Sequence, residues 1–165
     1  MDRGFFRQKL RYLGQATLAA LTLSLVLAVE DSLANVAIIT AIASSAFIIF
    51  MTPHSSMAGP RRVVGGHLVG VLIGLAFAGM LDLLGESLTT TVVIDVFAAV
   101  AVGVSMLSMA ATDTEHPAAA GTVLGLVLGE DVLGSAALVL TAAVILSVAR
   151  AVFGRLLIDL TSRPE

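Results

Sequence analysis

The residues best suited to chemistry lie in two short segments of this 165-residue chain, TPHSSMAGPRRVVGGH (52–67) and TDTEHP (112–117). They combine guanidinium, imidazole, carboxylate and hydroxyl groups. Guanidinium groups and helix N-termini bind anions, and an imidazole gains or loses a proton near neutral pH. The two segments therefore predict a binding site for a small anion, formed by His54, Ser55, Arg61, Arg62, His67, Thr112, Asp113, Glu115, His116 and Pro117.

The same residues do not indicate catalysis. The chain has no cysteine, which excludes disulfides and thiol chemistry. The metalloprotease motif HExxH is absent, and no serine has a suitable base beside it. We therefore expect a protein that is not an enzyme and that needs neither a cofactor nor a resident metal.

The composition places these polar segments inside a membrane protein. Hydrophobic residues make up 58% of the chain and charged residues 13%, and the mean hydropathy is +1.01. A soluble domain carries about 25% charged residues and buries only about two-thirds of its chain surface, so this chain needs lipid as its solvent. The net charge of −3 and the lack of a basic tail argue against a nucleic-acid partner.

Apolar stretches separated by polar turns predict an all-α membrane protein, a six-helix transmembrane bundle that forms a single domain over residues 1–165. The expected spans are 13–29, 33–51, 60–81, 92–111, 114–131 and 132–153. The apolar part of the fifth span, 118–129, reaches only about 18 Å, against a hydrocarbon core of about 30 Å. It is either a re-entrant half-helix or, extended by polar residues to 114–131, a short crossing helix enclosed by the others.

The distribution of charge favours six crossings. With the N-terminus inside, every lysine and arginine falls on the inner side: Arg3, Arg7, Lys9, Arg11, Arg61, Arg62, Arg150, Arg155 and Arg163. The outer turns then hold only acids: Glu30, Asp31, Asp82, Glu86, Glu130 and Asp131. This positive-inside pattern predicts a multi-pass protein of the plasma (inner) membrane with both termini in the cytoplasm.

An internal repeat is indicated by shifting the sequence by 55 residues, which aligns 31–51 with 86–106 and 66–74 with 121–129. The shift spans two crossings, so it predicts a parallel repeat and three helical hairpins. Each copy has glycine at every fourth residue: Gly66, Gly70 and Gly74, then Gly121, Gly125 and Gly129. Such stripes permit close helix packing, and they can also line a path or a sliding surface.

Two adjacent arginines pose a question at the expected start of the third helix. Arg61 and Arg62 follow Pro60, which suits the first turn of a helix, whereas cations are disfavoured there. Three interpretations remain open: the arginines anchor the topology while facing water, they pair with Asp113 or Glu115, or they bind an anion. We predict that at least one of them lies close to the second segment.

Three further ionisable residues have two interpretations each. His116 is either a structural hydrogen-bonding group or a proton-sensitive gate. His67, about two turns into the third helix, either bonds a serine or carbonyl on a facing helix or takes part in function, because ionisable side chains in spans normally face the interior. Asp95, near the outer end of the fourth helix, either reaches the interface or carries a coupling proton or cation.

The two segments also resemble a known family. TPHSSMAGPRRVVGGHLVG (52–70) resembles the part of the HPP family that leads into a GGHL-containing helix, and TDTEHPAAAGTVLGL (112–126) resembles its His-Pro-Pro signature followed by AGT. The resemblance covers about residues 13–153 and implies a small integral membrane protein. Ala118 replaces the second proline of the signature, so a role that needs a rigid Pro-Pro pair does not carry over. Plant plastid and cyanobacterial members are associated with nitrite transport.

Two functions therefore stand against each other. The first is a membrane transporter or channel for a small inorganic anion, with nitrite as the candidate that the resemblance implies. The alternative is a non-transporting structural or regulatory membrane subunit, which the small size and the lack of an evident soluble domain would suit. The expected partners are the lipid bilayer and the small anion, and a homo-oligomer is left open.

Overall fold

The computed structural model describes residues 9–28, 36–85 and 88–161, and this part of the chain is all-helical. Its six helices are α1 (Lys9–Ala28), α2 (Val36–Met51), α3 (Pro60–Leu84), α4 (Thr91–Thr112), α5 (Ala119–Leu128) and α6 (Val132–Phe153). A short 3₁₀ turn, Ser56–Ala58, precedes α3. The all-α class is confirmed, and each predicted span overlaps one of these helices.

Three of the helices, α3, α4 and α6, are long and apolar enough to cross a membrane by length and composition. Shorter apolar helical stretches occur at Leu13–Val26, Val36–Met51 and Ala119–Leu128. Large apolar side chains such as Leu72 and Leu107 are exposed on the outer surface, as expected where the surrounding solvent is lipid. These features support a helical membrane protein, while the number of crossings, the three hairpins and the repeat stay predictions.

Local residues determine where the helices begin and end. Pro60 occupies the first turn of α3, where its missing N–H removes no hydrogen bond. Thr90 and Asp131 cap α4 and α6, because each side chain accepts a hydrogen bond from the backbone N–H three residues later. Asp113 closes α4 in the left-handed conformation, with φ at 53°, so the chain turns sharply away from the helix axis.

The short helix α5 lies at the centre of the bundle, where it contacts α2, α3, α4 and α6. Its ten residues correct the predicted helical extension to 114–131. The helix starts only at Ala119 because Pro117 disfavours a helical conformation at His116. It stops at Leu128 because Gly129 adopts an extended conformation. That the polar flanks of α5 also lie within the bilayer stays a prediction.

The glycine stripes pack helices together, as predicted. On α3 they face α5 and the segment before it, and a Cβ atom at Gly70 would lie 3.0 Å from the carbonyl oxygen of Ala119. On α5 they face α2, and a Cβ atom at Gly125 would lie 2.6 Å from side-chain carbons of Ile38. Backbones approach closely at both contacts, and the second interpretation of the stripes, a path or sliding surface, stays open.

Helix ends meet at one end of the bundle, here called the arginine end. Arg150, in the last turn of α6, donates two hydrogen bonds of 2.9 and 2.7 Å to the carbonyl of Pro53, which follows α2. Gln15 of α1 donates to the carbonyls of Phe50 and Ile158 at 2.8 and 3.0 Å. The positive-inside pattern predicts that this end is cytoplasmic, and the chain termini, 1–8 and 162–165, lie outside the described residues.

Candidate functional site

Four polar side chains form a continuous hydrogen-bonded row, here called the histidine–serine row: Thr122, His67, Ser45 and His116. Oγ1 of Thr122 lies 2.8 Å from Nδ1 of His67, and Nε2 of His67 lies 2.8 Å from Oγ of Ser45. The same serine hydroxyl lies 2.9 Å from Nε2 of His116, whose Nδ1 lies 3.1 Å from the carbonyl oxygen of Met57. The row thus connects α5, α3, α2 and the segment that precedes α5.

The row is sealed from the surface, since none of its four residues is more than 1% exposed. Its two imidazole rings meet edge to face, with their centroids 5.1 Å apart. Buried polar groups need partners, and each of the four ring nitrogens has one within hydrogen-bonding distance. The row is therefore a satisfied polar element inside an apolar bundle, and both histidines make the structural hydrogen bonds that one interpretation of each predicted.

The row depends on the close approach of α3 to the segment that carries His116. A Cβ atom at Gly66 would lie 2.6 Å from Cβ of His116 and 2.9 Å from the carbonyl oxygen of Thr114, so only glycine leaves this space. The next residue, His67, then faces Thr122 of α5, which occupies the equivalent position under the 55-residue shift. Local backbone packing thus places the two histidines side by side.

The carbonyl of Met57 fixes the direction of the hydrogen bonds. A carbonyl only accepts, so Nδ1 of His116 carries a hydrogen. In a neutral His116 the Nε2 atom then accepts from the hydroxyl of Ser45, which must itself accept from Nε2–H of His67. Nδ1 of His67 is left to accept from the hydroxyl of Thr122. Every donor in the neutral row therefore points towards Met57.

The serine hydroxyl also has a second acceptor, the carbonyl oxygen of Ala41 at 2.9 Å. If Nε2 of His116 gains a proton, it becomes a donor to Ser45, and the serine hydroxyl can turn to Ala41. Burial lowers the pKa of His116 below its ordinary value, and the hydrogen bond to the carbonyl of Met57 acts in the opposite direction. The neutral form is thus favoured near pH 7, while the protonated form needs no new partner.

The second feature of the site is an arginine cluster, formed by Arg61, Arg62, Asp113 and Glu115. Nη1 of Arg61 lies 3.2 Å from Oδ2 of Asp113, and Nη2 of Arg62 lies 2.5 Å from Oδ1 of the same carboxylate. Nη2 of Arg62 is also 3.4 Å from Oε2 of Glu115. Arg61 donates to the carbonyl of Thr112 at 3.0 Å, at the end of α4, where a cation is favourable. The predicted meeting of the two segments is confirmed.

The cluster is formally neutral and partly open to the surroundings. The side chains of Arg61 and Asp113 are 70% and 56% exposed, that of Arg62 is 24% exposed, and two guanidinium groups face two carboxylates. Exposed ion pairs contribute about 0–1 kcal/mol. The carboxylates therefore hold the arginines only weakly, and another oxyanion can compete for the same N–H groups.

The other predicted site residues are not all brought into this site. The hydroxyl of Thr112 borders the cluster, 2.7 Å from that of Thr114. His54 turns instead to Asp159, with its backbone N–H donating at 3.0 Å to the carboxylate. The adjacent Ser55 bonds within its own segment, where its backbone N–H donates at 3.0 Å to the carbonyl of Thr52. Asp95 is exposed near the start of α4, at the opposite end of that helix from the cluster. The coupling role predicted for it stays a prediction.

Pro117 is exposed between two largely apolar grooves. One, of about 400 Å³, lies between α4 and α5 and is lined in part by Met109, Glu115 and His116. The other, of about 600 Å³, runs along α2 past Ser44. The signature proline thus lies on the surface of the bundle, while the imidazole before it belongs to the interior.

Sequence reasoning missed two members of the row, Ser45 and Thr122. A signal existed for each: Ser45 interrupts the apolar run of α2, and Thr122 aligns with His67 under the 55-residue shift. Neither residue is ionisable, so neither was selected by charge. In the part of the chain that the structure describes, no group of three or more histidine, aspartate and glutamate side chains is placed to hold a metal ion.

Comparison with known proteins gives one family and one curated relative. The family described as HPP, transmembrane region, matches residues 6–163. A transmembrane protein of Dictyostelium discoideum is 33% identical over 92 residues, which cover 56% of this chain and 30% of that protein. The chain thus spans less than a third of that relative's length in the alignment. No solved structure is significantly similar.

Proposed function

Because this chain belongs to the HPP family of transmembrane proteins, we propose that it is an integral membrane transporter or channel for a small inorganic anion. The observation that carries the proposal is the arginine cluster at the mouth of the histidine–serine row. Arg61 and Arg62 lie at the start of α3, and His116 follows Glu115 directly into the buried interior. Nitrite is the proposed substrate, because both segments resemble a family whose plant plastid and cyanobacterial members are associated with nitrite transport.

The chemistry of the cluster suits an oxyanion with two oxygens on one atom. Asp113 presents such a pair to Arg61 and Arg62, with one oxygen towards each guanidinium group. Nitrite has the same arrangement of two oxygens, so it can replace the carboxylate on the same donors. The N-terminus of α3 adds a partial positive charge of about half an elementary charge. Together these groups favour an anion over a cation at this end of the bundle.

The row carries polarity from the cluster into the bundle. His67 is the eighth residue of α3, about 10 Å along the helix axis from its start. Beyond this depth the interior is closed by apolar side chains that include Ile38, Val71 and Leu126. An anion that reached the row would therefore need the helices to move apart before it crossed. We place that movement at the glycine contacts between α3 and α5.

One observation favours the alternative, a non-transporting structural or regulatory subunit. The two arginines already have carboxylate partners, and the charges of the cluster cancel without any bound anion. In that case the cluster would only fasten the segment before α5 to the start of α3. The two functions make opposite predictions for anion flux.

The test is nitrite uptake into liposomes that contain the purified protein, measured against protein-free liposomes. The Arg61→Gln/Arg62→Gln variant should fall to the protein-free level while it keeps its helical content and elutes as a single species. Arg155→Gln is the matched control, because Arg155 is an exposed arginine just beyond α6. It should retain the uptake of the wild-type protein.

Two results would count against the proposal in different ways. Full uptake by the double-arginine variant would leave the arginines as topology anchors and move the anion site elsewhere. Wild-type uptake no faster than that of protein-free liposomes would favour the structural or regulatory subunit.

A further inference from the structure

His116, the last imidazole of the row, follows Glu115 of the arginine cluster directly in the chain. Its protonation state therefore changes the charge next to the anion site. The backbone and Cβ atom of His116 pack against α3 at Gly66, one helical turn beyond Arg62, and its ring lies edge to face against His67. A neutral imidazole leaves the formally neutral cluster unchanged. A protonated imidazole adds one positive charge beside it.

We propose that His116 is a reversible proton-binding site, with Ser45 as its hydroxyl partner, and that one proton and one small monovalent anion occupy the protein together. This inference rests on the proposed anion transport and adds the ion to which that transport is coupled. The proton comes from the aqueous phase at the arginine end, adds to Nε2 of His116, and leaves by the same nitrogen.

The structure accommodates that proton without rearranging the backbone. Nε2 is the one nitrogen of His116 that is free to accept, since Nδ1 donates to the carbonyl of Met57. When Nε2 becomes a donor, Ser45 accepts from both imidazoles and gives its own hydrogen to Ala41. Rotation of one hydroxyl therefore keeps every polar atom of the row paired in both states.

Among the described residues, the titratable side chain in contact with His116 is His67 of α3. The charged groups next to it are those of the arginine cluster: Arg61 and Arg62, which precede Gly66 on α3, and Asp113 and Glu115 from its own segment. The segment of Met57 contributes His54, which faces Asp159 instead. Helices α2 and α5 contain no ionisable residue, and the one in α4, Asp95, lies at its far end.

These charges make proton and anion binding cooperative. With a neutral His116 the nearby charges cancel, and a bound anion would leave an unbalanced negative charge. With a protonated His116 the excess is one positive charge, which one monovalent anion neutralises. The proton is held at His116, which is buried, and unbalanced charge is costly there. Each ion therefore raises the affinity for the other, and linkage requires the two effects to be equal.

Electrical measurements can detect such paired transport, because a proton and a nitrite ion together carry no net charge. Liposomes containing the protein would receive nitrite under either a pH gradient, acidic outside, or a potential set with potassium and valinomycin. Protein-free liposomes under the same gradients measure diffusion of nitrous acid through the lipid, which is subtracted. We expect protein-dependent uptake that follows the pH gradient and does not respond to the potential.

The possible failures are distinguishable. Uptake that follows the potential and ignores the pH gradient would overturn the paired binding while leaving the proposed anion transport in place. The absence of protein-dependent uptake under both gradients would overturn the proposed function and this inference with it.

A second readout tests the proton site without transport. Nitrogen NMR of the histidine rings, assigned with His54→Gln and His116→Gln, should show His116 titrating, with its midpoint at higher pH when nitrite is present. Ser45→Ala should lower the proton affinity of His116 about five- to tenfold, because a hydrogen bond to the charged ring contributes more than one to the neutral ring. Ser44→Ala, outside the row, should leave it unchanged. A midpoint that is insensitive both to nitrite and to Ser45→Ala would overturn the proposal.

Discussion

Replacing Gly66 with alanine should separate α3 from the segment that carries His116. The new Cβ atom would lie 2.6 Å from Cβ of His116 and 2.9 Å from the carbonyl oxygen of Thr114. Atoms of this kind are in favourable contact at about 3.5–4.0 Å, so the two backbones must part by roughly 1 Å. Ser45 bridges His67 of α3 and His116 at 2.8 and 2.9 Å, so one of these two hydrogen bonds would then exceed the usual limit.

The expected loss of stability follows from three contributions. Overpacking an interior contact costs about 1–3 kcal/mol, and rotating a side chain cannot relieve it because one of the contacts is with backbone. Leaving a buried polar atom of the row unpaired costs a further 1–3 kcal/mol or so. The better helix propensity of alanine offsets up to about 1 kcal/mol. The net expectation for Gly66→Ala is a loss of about 2–4 kcal/mol.

The matched control is Gly79→Ala on the same helix, where a Cβ atom would have no neighbour within 4 Å. Thermal unfolding in detergent, followed by circular dichroism, compares both variants with the wild type. A chain of this size loses about 2–4 °C of melting temperature per kcal/mol, so Gly66→Ala should melt roughly 4–16 °C lower and Gly79→Ala should not. Equal melting temperatures for the two variants would refute the reasoning.

Three further predictions concern an ion pair, the hydrogen bonds of Gln15 and the orientation of the chain in the membrane. A double-mutant cycle with Arg62→Gln and Asp113→Asn should give a coupling of about 1 kcal/mol or less, because the carboxylate is more than half exposed; strict additivity of the two losses would show no pairing. Gln15→Ala removes three hydrogen bonds between α1, α2 and the segment after α6, and should destabilise the protein by about 1–3 kcal/mol in the same melting assay, whereas an unchanged midpoint would contradict that role. A cysteine at Ser55 should react only with reagent on the cytoplasmic side, and one at Ser87, outside the described residues, only with reagent on the other side; reaction of Ser55→Cys from outside would contradict the orientation.

The ion pairs of the site could be anticipated from the sequence because charge is easy to place in a membrane protein. One-sided arginines put both segments at the same end, and Pro60 marks a helix start where Arg61 and Arg62 need negative partners. Asp113 and Glu115 were the carboxylates within reach. The observed distances of 2.5–3.4 Å between these groups follow from the same reasoning.

The buried row could not be derived in the same way. The position of Ser45 between two imidazoles depends on the rotation of α2 about its axis, which is set by packing against the glycine stripe of α5. Apolar residues occur on every face of α2, so its sequence has no strong periodicity to reveal that rotation. His67 was recognised as an interior residue because it is ionisable, whereas its partners had to come from the structure.

The predicted bounds of α5 were wrong because the thickness of the bilayer was given more weight than the residues that stop the helix. The thickness of a bilayer argued for a helix over 114–131, although Pro117 and Gly129 are both residues that stop helices. In the structure the local signals prevail, and the polar flanks are used for contacts instead of helical turns. The short helix is enclosed by four neighbouring helices, so it does not need the length of an independent span.

The shortness and central place of α5 have a consequence for biogenesis. Ten residues form a helix about 15 Å long, half the thickness of the hydrocarbon core, and the insertion machinery selects stretches of about 20 apolar residues. Such a segment is a poor substrate for independent insertion, and its neighbours α2, α3 and α4 are all synthesised before it. We therefore expect α5 to enter the membrane against a surface that these helices have already formed, with α6 following to hold it there. Until α5 enters, Ser45 and His67 lack Thr122 and His116, so the row is completed only when α5 joins the helices made before it.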